Sequence, residues 1–389
     1  MGGPVAVLMA VGIAAARFPA DTVTLLLEGI PVLDLSAAAV STLDGGAEPF
    51  FGVVDAFRMD DGRIAVADRG ASAIRLFLPG GSEDARAGRR GQGPGEFQGI
   101  ASAGPMPGDS LWGYDFSGGL LHVFGPDGAV ARSVRLDFPS GVPFQSLTGP
   151  AGDIWVGRAG TVVAAGQAEG LRRDTVDVFA VAADGSAGRR LARQPGNEQL
   201  VRIRSGASGT TVSKALMPFS YSTVDAVSGQ IWLTVQTEDY LLRLQNLATD
   251  DAPRWVRIDV PTTRVDDRLV RAYASAASEG DRDREGSIRR AMERMPLHEA
   301  APEIEGIAPS REGGFWVGRF TPPGAATTEW VAHRPDGTPV GRFLLPAGLR
   351  VRHAGPGWVL ATTIDELGVE RVVLLEDERI GSAGSASST

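Results

Sequence analysis

The sequence predicts an all-β chain folded as a six-bladed β-propeller with four-stranded blades. Three observations carry that prediction. One strand motif recurs six times, hairpin signals follow several copies of it, and Gly (51) and Pro (25) make up about a fifth of the 389 residues without a collagen-like period.

The recurring motif is a Gly- or Asp-marked turn, then a large apolar residue, often Trp, then further apolar residues. It reads Asp-Gly-Arg-Ile-Ala-Val-Ala-Asp at 61–68, Gly-Asp-Ser-Leu-Trp-Gly-Tyr-Asp at 108–115 and Gly-Asp-Ile-Trp-Val-Gly-Arg at 152–158. The later copies are Ser-Gly-Gln-Ile-Trp-Leu-Thr-Val at 228–235, Gly-Gly-Phe-Trp-Val-Gly-Arg at 313–319 and Gly-Pro-Gly-Trp-Val-Leu-Ala at 355–361. Aligned on Ala65, Trp112, Trp155, Trp232, Trp316 and Trp358, the spacings are 47, 43, 77, 84 and 42 residues. Three of these match the ~40–50 residues of a four-stranded blade, and the longer two imply a blade plus an insertion. Five of the seven tryptophans hold the same repeat position, where core packing between blades is the expected role.

Along the chain, residues 4–16 form an apolar run ending in three alanines before Arg17. It is short for a membrane span and suits the apolar part of a signal peptide, so residues 1–20 are read as an export signal and the protein as periplasmic or secreted. The propeller then occupies 21–380. Second hairpins follow several anchors: Ile74-Arg75-Leu76-Phe77 before Pro79-Gly80-Gly81, Leu121-His122-Val123-Phe124 before Pro126-Asp127-Gly128, and Trp330-Val331-Ala332-His333 before Pro335-Asp336-Gly337. Gly accepts the positive φ such turns need. Gly91-Gln92-Gly93-Pro94-Gly95-Glu96-Phe97 reads as a tight crossover between blades, with Glu96 accepting backbone N–H bonds. No Lys-Ser/Thr follows it as a phosphate loop would require. The third repeat carries extra residues at about 159–174 and 194–215, and the fourth carries about 262–303. In the last of these, Val265, Leu269 and Tyr273, then Ile288, Met292 and Met295, recur at helical spacing up to Pro296, so a pair of helices is expected between blades 4 and 5. The last repeat is one strand short, and residues 22–35 are expected to supply the strand that closes the ring. The Gly/Ser/Ala-rich 381–389 reads as a disordered tail.

Residues 61–77, the Gly-Pro-Gly-Glu-Phe stretch at 93–97 and Asp365-Glu366-Leu367-Gly368-Val369-Glu370-Arg371-Val372 resemble the bacterial six-bladed propeller proteins related to NHL repeats, over roughly 22–378. The resemblance implies the fold and is nearly silent on activity.

Candidate site residues follow from propeller geometry. The first strand of each blade borders a central channel, and the three insertions emerge on one common face, where long loops on a rigid scaffold tend to carry function. Inner-strand polar residues Asp55, Arg58, Gln145, Tyr221, Arg352 and His353 are candidates to line the channel. At the exit of the anchor strands stand Asp68, Asp115, Arg158 and Arg319, with Asp68 also suited to holding its own turn.

Net charge is −9 with no basic cluster, which argues against nucleic acid as a partner. There is no Cys, so disulfides and thiolate sites are excluded. The four histidines, His122, His298, His333 and His353, fall on separate elements, and no Gly-x-Ser-x-Gly elbow is present. A Ca²⁺-dependent lactonase-like hydrolase is the alternative class. Glu48-Pro49 is slightly similar to that family's first ligand, but the chain has only Asn197 and Asn246 to set against its paired asparagines. The reading is therefore a monomeric binding or scaffold protein with no cofactor and no transmembrane segment, holding a protein, peptide or glycan at its loop-rich face.

Overall fold

The computed structural model describes residues 18–139, 144–151, 154–160, 170–203, 210–213, 216, 220–225, 230–236, 239–247, 249, 251–278, 282–293, 297–365 and 368–381. The apolar run at 4–16, expected to belong to an export signal, and the tail at 382–389 lie outside them. Among the described residues no helix is long and apolar enough to cross a membrane.

Six antiparallel sheets stand around an axis, each beginning with an inner strand: Val53–Arg58, Ile100–Pro105, Ser146–Ala151, Ser220–Asp225, Ile304–Pro309 and Arg350–Gly355 for blades 1 to 6. The six anchor motifs form the second strand of each blade: Ile64–Asp68, Leu111–Asp115, Ile154–Gly160, Gln230–Gln236, Phe315–Arg319 and Trp358–Ile364. Six apolar cores lie between neighbouring blades, including one between blades 6 and 1 built from Phe50, Ile64, Phe77, Trp358 and Leu374. The ring therefore closes on itself and buries every sheet alike.

The anchors Trp112, Trp155, Trp316 and Trp358 are all buried in these cores. Opposite three of them the inner strand offers a minimal partner: Gly104 faces Trp112, Ala308 faces Trp316 and Gly355 faces Trp358. A Cβ on Gly355 would lie 2.5 Å from the indole, so the cross-strand position has to be small. Trp155 departs from the repeat. It shares the core between blades 2 and 3 with Trp112, with Arg132 of blade 2 at 5.6 Å over its ring, while Val156 takes the side facing blade 4. In blade 3 the register irregularity of the inner strand falls between Thr148 and Ala151. In blades 1, 2, 5 and 6 it falls at the strand's first residues. Because side chains alternate with period two, such a slip turns the strand's faces around.

An N-terminal strand closes the last blade as expected, but it is Ala39–Leu43, paired antiparallel to Glu370–Glu376, and not residues 22–35. Those residues instead add a fifth, parallel strand to each of two earlier blades: Val23–Leu26 along Arg254–Asp259 of blade 4, and Val32–Asp34 along Pro339–Pro346 of blade 5. The apolar pattern at 22–35 serves these edges, with Leu27 and Leu35 inserted into the cores between blades 4 and 5 and between blades 5 and 6.

The Gly91–Phe97 crossover is held as its sequence implies. Glu96 accepts N–H bonds from Gln92 (3.0 Å) and Gly93 (2.8 Å), and Phe97 fills the core between blades 1 and 2. The helical insertion consists of α1 (Asp267–Ser278) and α2 (Arg282–Glu293). Its ends pair with each other, Val265 N–H on Glu299 O and Ala301 N–H on Thr263 O (both 2.8 Å), and its apolar face packs Leu269, Val270 and Met292 on Leu216 and Phe320. Blade 3 extends its third and fourth strands into an arm, Gly170–Ala182 against Ala187–Ile203. The arm meets the insertion through Glu198 and His298 (2.5 Å).

Candidate functional site

The inner strands of all six blades enclose an axial cavity of about 400 Å³. Each strand enters from the insertion face, because connections between blades and those between second and third strands emerge at the same end of alternating antiparallel strands. Near the entrance, bulges let two successive residues face the axis. The pairs Ala101 and Ser102, Glu305 and Gly306, and Arg352 and His353 line the cavity in this way.

Six of the ten sequence-derived candidates meet here: Asp55, Arg58, Arg158, Tyr221, Arg352 and His353. Arg352 leans from blade 6 to blade 1, donating to Val54 O (3.1 Å) and Thr362 Oγ1 (3.0 Å). Burial lowers its pKa, and Asp55 opposes that shift. Burial raises Asp55 to about 6, against the pull of the Arg352 charge and an N–H bond from Ala103. Burial lowers Arg158 to about 10, which leaves it cationic at neutral pH. His353 is pushed down to about 3 by burial and by the Arg311 charge. Its Nδ1 accepts the Arg58 N–H (3.2 Å), so the neutral ring carries its proton on Nε2. Arg58 lies near the far end, over the Trp358 ring at 5.3 Å.

The other four candidates stand elsewhere. Asp68 is buried and accepts N–H bonds from Gly70 (2.9 Å) and Ala71 (3.3 Å) while pairing with Arg75 (3.2 Å). Asp115 holds Gly99 N–H (2.8 Å) and Gly118 N–H (3.1 Å) in the equivalent way. Arg319 is tied to Glu329, which also binds Arg342. These three face the preceding blade, whereas Arg158 faces forward into the channel because of the turned register of blade 3. Gln145 lies in a shallow neighbouring hollow with Phe116 and Arg69.

Four charged lining residues were missed from sequence: Asp60, Glu305, Arg311 and Arg350. Burial raises the pKa of Glu305 although its carboxylate accepts bonds from Thr321 N–H (3.1 Å) and Oγ1 (3.2 Å), and Tyr221 OH donates to its backbone oxygen (2.8 Å). Aligning the inner strands puts Glu305 at the position of Arg352, a signal that could have found it. The lining holds five arginines (Arg58, Arg158, Arg311, Arg350 and Arg352) against three carboxylates (Asp55, Asp60 and Glu305). An acidic protein thus concentrates positive charge along its axis. Low-dielectric walls focus such a field on an entering anion. Among the described residues no group of three or more His, Asp or Glu is placed to hold a metal ion.

No protein-family description matches the sequence, and no curated protein does. Solved structures align with most of the chain at low identity, with TM-scores under 0.5. A protein described as exported, from Bacteroides fragilis, is 8% identical with a TM-score of 0.48, over 92% of this chain and 100% of that one. A member of the DUF4221 family from Bacteroides vulgatus is 8% identical with a TM-score of 0.46, over 87% and 96%. Virginiamycin B lyase from Staphylococcus aureus is 10% identical with a TM-score of 0.42, over 87% and 99%.

Proposed function

We propose that this is an exported binding protein, akin to NHL-type propellers, that draws an acidic group of a peptide or glycan into its channel from the insertion face. The observation that carries this reading is the convergence of Arg158, Arg350 and Arg352 at the channel entrance of a chain whose net charge is −9. Desolvated guanidinium groups recognise carboxylates by charge-assisted, forked hydrogen bonds. The Ca²⁺-dependent hydrolase finds less support, since a hard cation entering the channel would meet the same arginines.

Calorimetric titration with trigalacturonate and with an acidic peptide pool, each at two salt concentrations, tests the reading. Binding should weaken with salt and fall about tenfold in Arg158→Gln and Arg352→Gln, the loss of one charged hydrogen bond. Unchanged affinity in both variants, or tight Ca²⁺ binding with lactone turnover, would overturn it.

A further inference from the structure

Beside the channel entrance lies a second hollow of about 400 Å³, walled by Ile100, Ala101 and Phe116, with Arg69, Ser117 and Gln145 at its rim. Ala101 belongs to both cavities, and Gln145 precedes the channel residue Ser146 while donating its N–H to Arg158 O (2.7 Å). The hollow therefore opens onto the same mouth that the arginines line. Of its apolar residues Phe116 is the exposed one, retaining 36% of its surface, while Ile100 is buried; Phe51, outside the hollow on blade 1, retains 75%. Exposed phenylalanines next to a ligand-sized cavity are a common mark of a recognition surface.

From this juxtaposition, and resting on the channel reading above, we infer that the ligand is a peptide held by its free C-terminal carboxylate, with an apolar last side chain seated on Phe116. The positive channel lining supplies the complement to the carboxylate. Ile100, Ala101 and the Phe116 ring supply a wall with no side-chain donors or acceptors. An exposed phenyl ring at that position suits an alkyl or aryl side chain, which loses apolar surface to water against it.

The experiment uses the full chain and three N-terminally labelled probes read by fluorescence anisotropy: Gly-Ser-Gly-Ala-Phe with a free carboxylate, the same peptide amidated, and Gly-Ser-Gly-Ala-Gly with a free carboxylate. Unlabelled trigalacturonate serves as competitor. The Phe-terminated acid should bind about tenfold more tightly than either other peptide. Phe116→Ser, an exposed position whose fold is checked by circular dichroism, should abolish the preference for Phe over Gly. Equal binding of the acid and the amide, or a Phe preference that survives Phe116→Ser, would overturn the inference. If no peptide binds but trigalacturonate does in the calorimetric titration, and does so through Arg158, the peptide inference falls and the anion-binding channel stands. If no probe binds, both fall.

Discussion

Arg75 is fully buried, and its guanidinium ties three parts of the chain together. It donates to Glu48 O (2.7 Å) and Gly45 O (2.8 Å), pairs with Asp68 and Glu83, and lies over the rings of Phe50 and Phe77. Removing one member of a buried ion pair strands the others, which costs about 3–5 kcal/mol. Urea denaturation of Arg75→Ala should show a loss of that size. Nothing in the Ile-Arg-Leu-Phe pattern at 74–77 signals this burial, because the partners come from a turn some thirty residues earlier. Asp55 makes a prediction of opposite sign. Its pKa of about 6 in the folded protein lies above the ordinary 3.8, so the folded state binds the extra proton between those values. Stability from this group is present at low pH and lost as pH rises through 6. Asp55→Asn should be more stable than the parent by roughly 2 kcal/mol at pH 7.5, with the gain vanishing below about pH 4. His353 works the other way: its depressed pKa of about 3 makes the folded state lose stability as pH falls below 6.5. Thermal melts of the parent, Asp55→Asn and His353→Gln across pH 4–8 would separate the two effects.

At the scale of elements, the second strands and hairpins were legible because each carries its own local signal: an apolar anchor, Trp in five of the six, beside a Gly- or Asp-marked turn. The insertion was legible for the same reason, since Val265, Leu269, Tyr273, Ile288 and Met292 all pack in its core. Its ends meet in a short antiparallel pairing, so it can be cut away without parting the chain. Replacing 264–300 by a Gly-Ser-Gly link should preserve the β-type circular dichroism spectrum and lower the melting temperature by only a few degrees, the cost of exposing Leu216 and Phe320. The turned anchor strand of blade 3 was not legible. A one-residue slip leaves composition and spacing untouched while reversing which blade Trp155 faces, and it also decides that Arg158 reaches the channel. Most of the candidate site shares that limit. The inner-strand candidates could be proposed from their place in the repeat, but convergence on the axis depends on bulges set by pairing between strands.

For the whole molecule, the decisive contact is the closure of blade 6. Ala39–Leu43 protects the edge of Glu370–Glu376, while the strands before it only widen blades 4 and 5. Two truncations separate these roles. A chain starting at residue 37 should remain a closed ring, destabilised by about 4–10 kcal/mol through loss of the two buried side chains of Leu27 and Leu35. A chain starting at residue 46 should expose a strand edge and unfold over a broad range or aggregate, as followed by light scattering during a melt. Sequence foretold that the chain's beginning closes its end. It could not choose among three short apolar segments that suit an edge equally well.

The same strap has a consequence for the order of events during synthesis. Thr42 pairs with Val373, so this strand waits for a partner translated 331 residues later. Blades 1 to 3 can assemble from neighbouring segments, but the circle stays open until residues 370–376 have been made. A holdase that masks residues 39–43 during that interval would raise the yield of native protein, and its benefit would end once residue 376 is free.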